Sequence, residues 1–192
     1  MKKFLAISIR TLLLMTVLTG IVYPLLITAF AKVFYPVESR GSLVLDRSGR
    51  IIGSALIGQA ADSAKFFHPR PSAVNYQTIP SGASNYSWSE NRLKNLVTDR
   101  RASFLRENGL SDTTRVPAEM LTASASGLDP HISPRAAFLQ AGRIAQARHY
   151  SDHQRGELNA LIAKMTEKPQ YGVFGEERIN VLLLNLELEE IK

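Results

Sequence analysis

The chain has 192 residues, 45% of them hydrophobic, and contains no cysteine. Its length suits one domain of ordinary size plus an accessory segment, and the missing cysteines exclude structural disulfides and thiolate metal sites. Half of the formal charge of +6 belongs to Lys2, Lys3 and Arg10; the remainder is nearly balanced and evenly mixed, which argues against nucleic acid as a partner.

The first element is the uncharged run 11–31 between Arg10 and Lys32. As a helix it would extend about 32 Å, matching a hydrocarbon core of about 30 Å. The expected organisation is therefore a cytoplasmic N-terminus over 1–10, a transmembrane helix over 11–34, and a soluble α+β domain over 35–192. The basic residues before the run place the N-terminus in the cytoplasm and the domain outside it, with Phe30, Phe34 and Tyr35 as an interfacial belt. The rival is a cleaved signal peptide, because Ala29-Phe30-Ala31 has the form of a cleavage site; the apolar run exceeds the usual signal core of about 7–15 residues. Thr16, Gly20, Pro24 and Thr28 share one helical face, a pattern of small residues that lets a second transmembrane helix approach. Pro24 also deprives the Gly20 carbonyl of its helical donor, which is better tolerated beside a partner helix than in lipid.

After the anchor, 41–59 reads as two short strands around the turn Asp46-Arg47-Ser48-Gly49. A long Pro-, Ser- and Asn-rich loop follows over 68–89, a length that is often functional. The spacing of Leu93, Leu96, Val97, Phe104 and Leu105 predicts a helix over 90–108, stopped by Gly109. Val116-Pro117 starts a short helical turn. Ser133 and Pro134 fit the N-cap and first position of a helix running to about Tyr150, with Ala137, Ile144 and Ala147 inward. Another helix starts near Ser151 or Asp152 with Leu158, Leu161, Ile162 and Met165 on one face. The apolar run 178–188 has strand character and is expected to be central in a small sheet. The fold class is α+β.

The stretch 124-SASGLDPHISPRAA-137 offers Ser124, Ser126, Asp129 and His131 within eight residues. A hydrolytic triad converges from separate elements, and the Gly-x-Ser-x-Gly elbow is absent. The structural account has Gly127 supplying a turn, Pro130 holding Asp129 extended, Ser133-Pro134 opening a helix, and Asp129 and His131 bonding loop backbone. His149 and His153 have the spacing of two metal ligands, but no glutamate stands beside the first, and Ser151-Asp152 is expected to break the helix between them. Neither a P-loop nor Gly-x-Gly-x-x-Gly occurs. No catalytic residue and no metal ligand is assigned.

The stretches 57-IGQ-59, 66-FFHPRPSA-73, 81-SGASN-85, 116-VPAEMLTASASGLDPHIS-133, 140-QAGRIAQAR-148 and 175-GEERINVLLLNLEL-188, placed after one N-terminal transmembrane helix, resemble the KdpC family, the C subunits of bacterial Kdp potassium-transporting P-type ATPases. The resemblance covers almost the whole chain. The family's loop usually reads Ser-Gly-Gly-Ser-Asn-Leu-Gly, whereas Ala83 and Tyr86 interrupt it here. The resemblance implies a non-hydrolytic, single-pass subunit of the inner membrane with a periplasmic domain. Its implied partners are a channel-like potassium-translocating subunit and a P-type ATPase subunit. It further implies a catalytic chaperone that raises the ATPase subunit's affinity for ATP, with potassium as the transported ion and no tightly bound cofactor. An extracytoplasmic domain stands away from ATP, so the effect runs either by conformational linkage or by direct ATP contact in an inverted topology. Within this frame Gln59, Arg70, Ser72, Asn85, Asp129 and His131 are candidates for a docking or ligand surface. The competing classes are a membrane-anchored Ser/His hydrolase and a cleaved periplasmic binding protein.

Overall fold

A computed structural model of the chain describes residues 2–191. The chain divides after Ser54 into two compact units. The first begins with an apolar helical rod made of α1 (Lys2–Val17), a π-helical turn (Leu18–Val22) and α2 (Tyr23–Phe34). With a mean hydropathy of 2.1 and no buried residue, the rod is long and apolar enough to cross a membrane. Helix starts at Lys2, so helical structure reaches back through the basic N-terminal residues as well as the uncharged run.

The π turn has a cause in the sequence. Pro24 has no N–H, and its ring clashes with the carbonyl one turn back. One wider turn ahead of it relieves that clash, with the Tyr23 N–H bonding the Leu18 carbonyl. Thr19 contributes a hydroxyl bond to the Met15 carbonyl at 2.7 Å.

The rest of this unit is an antiparallel hairpin of β1 (Leu43–Leu45) and β2 (Ile51–Ser54), with Leu43 opposite Ser54 and an irregularity after Val44. Asp46 holds the turn, accepting from Ser48 N at 2.8 Å and Arg50 N at 2.9 Å. Hydrogen bonds from the Ser48 hydroxyl and from Arg50 hold its carboxyl below its usual range.

The second unit contains α3 (Asn91–Glu107), β3 (His131–Ile132), α4 (Pro134–Ala147), α5 (Asp152–Lys164), β4 (Ile179–Asn180) and α6 (Val181–Leu188). Its core gathers around α4, whose inward face is Ala136, Ala137, Ala141, Ile144 and Ala145. Alanines let neighbouring elements approach closely, and Leu158 and Ile162 of α5, Leu184 and Leu188 of α6, Phe104 of α3 and Phe67 join Ile144 in one buried cluster. The two-residue strands β3 and β4 pair antiparallel, His131 opposite Asn180 and Ile132 opposite Ile179.

Local signals account for the helix ends. The Ser133 hydroxyl accepts from Ala136 N at 3.1 Å, Ser151 and Gln154 form a reciprocal capping box, and Gly109 leaves α3 with φ +61°. Helix α4 stops at Ala147, short of Tyr150, because His149 turns left-handed at φ 56° and sends Tyr150 N back to the Ala145 carbonyl. Ala147 is accordingly only half-buried.

The expectation of a central strand over 178–188 is corrected. Only Ile179 and Asn180 are strand, and Val181–Leu188 is helix. The Asn180 side chain accepts from Leu183 N at 3.2 Å as an N-cap, after which Val181, Leu184 and Leu188 recur at helical spacing and are buried. Leucine favours helix, and a short continuous apolar run does not by itself separate the two states.

Candidate functional site

The candidate residues are positioned by side-chain amides that stand in for strand partners. Asn185 of α6 bonds both main-chain groups of Phe67, accepting from its N–H at 2.7 Å and donating to its carbonyl at 2.9 Å. Gln140 of α4, fully buried, does the same for His68, at 2.7 Å and 3.2 Å. The segment 66–68 is thus held like a strand with no strand beside it. Beneath it lies buried Arg143, which donates to the carbonyls of Ala64 at 2.6 Å and Phe66 at 3.0 Å and to Asn108 Oδ1 at 3.0 Å. Burial lowers its pKa, and Glu107 partly offsets this. The same burial, with Arg143 nearby, lowers the pKa of His68.

Two residues further on, Arg70 reaches Asp129 with an N–H···O contact of 2.7 Å. Asp129 also accepts from His131 N at 3.0 Å, and the His131 ring nitrogen Nδ1 stands 3.4 Å from the same carboxylate. Burial by itself would raise the Asp129 carboxyl. Hydrogen bonds from the His131 side chain and backbone and from Arg70 outweigh it, holding the pKa at about 2. The Tyr76 hydroxyl donates to the Arg70 carbonyl at 2.8 Å, and burial pushes that phenol up to about 12.

Around this pair the loops close on one another. Ser72 Oγ accepts from Val74 N at 3.1 Å and Tyr76 N at 2.9 Å. Gly82 N donates to the Ser126 carbonyl at 3.0 Å and Gly58 N to the Leu128 carbonyl at 2.7 Å. Gly127 sits at φ +70°, where a Cβ would stand 2.7 Å from Val74 Cγ2 and 2.9 Å from the Gly82 carbonyl. The structure therefore brings Arg70, Ser72, Asp129 and His131 to one junction. Gln59 follows the Gly58 contact on an exposed edge, and Asn85 is exposed with φ 54°. A cleft of about 490 Å³ opens beside the junction, between Arg70, Asp129 and His131 on one wall and Lys168, Phe174 and Arg178 on the other.

The junction does not assemble a nucleophile with a base. The His131 ring pairs with Asp129, Ser126 Oγ accepts from Leu128 N at 3.1 Å, and Ser124 is buried. His149 lies outside any helix, and His153 pairs with Glu157 at 3.8 Å. The described residues contain no group of three His, Cys, Asp or Glu side chains arranged to hold a metal.

Sequence reasoning missed Asn108, Gln140, Arg143 and Asn185 as organising residues. Their signal was present: Gln140 and Arg143 interrupt the alanine face of α4, and Asn185 interrupts a leucine run, where a polar side chain is kept only if it finds partners.

An apolar N-terminal helix long enough to cross a membrane, followed by an α+β domain whose polar loops are tied to one another, fits the class of single-pass membrane proteins. Residues 5–190 match the family described as K+-transporting ATPase, c chain. The potassium-transporting ATPase KdpC subunit of Leptospira interrogans is 45% identical over 187 residues, 97% of this chain and 94% of the relative. Those of Geobacter sulfurreducens and Mycobacterium tuberculosis are 43% and 42% identical, over 98% and 100% of both chains. The chain belongs to the KdpC family, and it is an accessory subunit of a potassium-transporting ATPase, not the catalytic one.

Proposed function

We propose that this subunit assembles with the channel-like and ATP-hydrolysing subunits of the pump and acts as a catalytic chaperone, raising the ATPase subunit's affinity for ATP by conformational linkage. In this reading residues 11–34 span the inner membrane, 1–10 stay in the cytoplasm, and 35–192 face the periplasm. Gln59, Arg70, Ser72, Asn85, Asp129 and His131 belong to a docking surface, and Thr16, Gly20, Pro24 and Thr28 face a helix of another subunit. The observation that carries the proposal is that the side chains which could serve as nucleophile, base or phosphate ligand at the loop junction are engaged within the chain. Ser72, Ser126, Asp129 and His131 are engaged with the chain's own backbone and with Arg70, and the sequence has no glycine-rich phosphate cradle. A domain that prefers one state of its partners changes nucleotide affinity without touching nucleotide, typically by about 5–150-fold.

Sidedness tests it. Three basic residues precede the anchor, and long domains cross largely regardless of their charge. The chain has no cysteine, so Ser111→Cys, at an exposed position after α3, is a unique label. A membrane-impermeant maleimide should react equally fast with intact spheroplasts and with lysed cells. Labelling only after lysis would put the domain in the cytoplasm with ATP and replace linkage by direct contact.

A further inference from the structure

Trp88, the one tryptophan of the chain, is 80% exposed. It stands on a closed turn, in which Glu90 N donates to the Ser87 carbonyl at 3.0 Å and the Ser87 and Ser89 hydroxyls lie 2.9 Å apart. Helix α3 begins directly after this turn and brings two exposed cations, Arg92 and Lys94. The Arg92 guanidinium lies over the ring of half-buried Tyr86, 4.8 Å from its centre. Neither cation is paired with a carboxylate among the described residues.

An indole gains by leaving water, either for a protein pocket or for a bilayer interface. The neighbours of Trp88 favour the bilayer. Its apolar body and N–H tip suit the boundary between acyl chains and headgroups. Stacking on Tyr86 holds the Arg92 guanidinium in place and leaves its N–H edge for an acceptor such as a phosphate oxygen. Glu90 offsets part of the positive charge, so the contact is weak by itself. The rod is long and apolar enough to cross a membrane and ends at Phe34, and the second unit begins at Ala55. So short a connection keeps the turn at high effective concentration over one bilayer, where a weak contact suffices. A second exposed apolar cluster, Tyr171, Val173 and Phe174, is followed by Glu176 and Glu177, the charge that an anionic leaflet repels.

We propose that the segment 86–94 seats the domain on the membrane surface, with Trp88 entering the interface and Arg92 and Lys94 meeting the phosphates of anionic phospholipids. The inference rests on the reading of the rod as a membrane anchor, and it holds for either leaflet. A domain fixed at two points, by its rod and by this turn, has fewer orientations open to it than one held by its rod alone.

The test reconstitutes the full-length chain into vesicles of phosphatidylethanolamine and phosphatidylglycerol in equal parts, with or without bromine on the acyl chains near the headgroup. Tryptophan emission reports Trp88 alone, and brominated lipid, a contact quencher, should remove most of it. Arg92→Gln combined with Lys94→Gln, both at exposed positions, should lower the docked-to-free ratio by about 25-fold, at about fivefold per cation. Undiminished quenching in that double variant would overturn the inference. So would emission untouched by brominated lipid in a chain that alkaline washing leaves in the membrane. Shielding from aqueous acrylamide without bromine quenching would overturn it as well, by showing a second copy of the chain over Trp88. In the assembled pump, a nitroxide placed on Ser89→Cys before the chain is added should meet lipid-dissolved oxygen more than an aqueous nickel chelate. Poor access to both would show another subunit over the turn, and the reverse preference would show water; either result overturns the inference. Release of the wild-type chain by alkaline washing would remove the anchor reading and this one with it.

Discussion

Three glycines of the second unit separate two costs that usually arrive together. Gly109 has φ +61° with nothing within 4 Å of the place a Cβ would occupy, so Gly109→Ala carries only the left-handed backbone cost, about 1–2 kcal/mol. Gly58 has no such φ, but its Cβ would lie 2.6 Å from the Asp129 carbonyl oxygen. Gly58→Ala therefore carries only overpacking, about 1–3 kcal/mol, and the obstacle is backbone, which yields least. Gly127 combines φ +70° with approaches of 2.7 Å to Val74 Cγ2 and 2.9 Å to the Gly82 carbonyl. Gly127→Ala should therefore cost about 2–5 kcal/mol, the largest of the three. Urea unfolding of the full-length chain in detergent, followed by far-ultraviolet circular dichroism, measures all three on one scale. If Gly127→Ala cost no more than Gly109→Ala, the close meeting of the 72–74, 82 and 127 segments would be refuted.

Gly20→Leu should insert normally but co-purify with the other subunits at reduced yield, because a bulky side chain holds two transmembrane helices apart; wild-type yield would remove the packing face. His131→Ala and Ser126→Ala should change ATP turnover of the assembled pump less than about tenfold, whereas a well-folded complex losing about 10³-fold or more would identify a catalytic group. Asp129 has a folded pKa depressed to about 2, so the stability it contributes is complete above its unfolded value of about 4 and is lost as pH falls toward 2. Asp129→Asn should flatten the fall of unfolding midpoint in that window; an unchanged slope would show that the His131 and Arg70 contacts do not hold the carboxylate in its charged form.

Much of the architecture is legible in the sequence because it follows from local rules. Ser133-Pro134, Ser151 and Gly109 mark helix ends by capping chemistry that needs no distant partner, and the Asp46 turn closes through bonds spanning at most four residues. Val181–Leu188 reads wrongly as strand because continuous apolarity carries no period, and the deciding bond is a single cap from Asn180. At the candidate site, the Asp129-Pro130-His131 geometry is readable from adjacent residues. The Arg70 partnership is not, because it joins positions 59 residues apart. The amide grips of Gln140 and Asn185 are hidden for the same reason: an amide facing a bare main chain leaves no matching pattern in the segment it holds.

Those grips also set an order on biogenesis. Phe67 is secured by Asn185, 118 residues later, and His68 by Gln140, 72 residues later. A growing chain lacks the amide that fixes Phe67 until Asn185 emerges, long after 66–72 has been made. The Arg70–Asp129 junction adjoins this stretch, so a chain ending before α6 would carry every junction residue and the Gln140 grip on His68, but not the Asn185 grip on Phe67. Formation of α6 and ordering of this stretch are thereby tied together, and a chain lacking Asn185 presents a looser, more protease-accessible 66–68 segment.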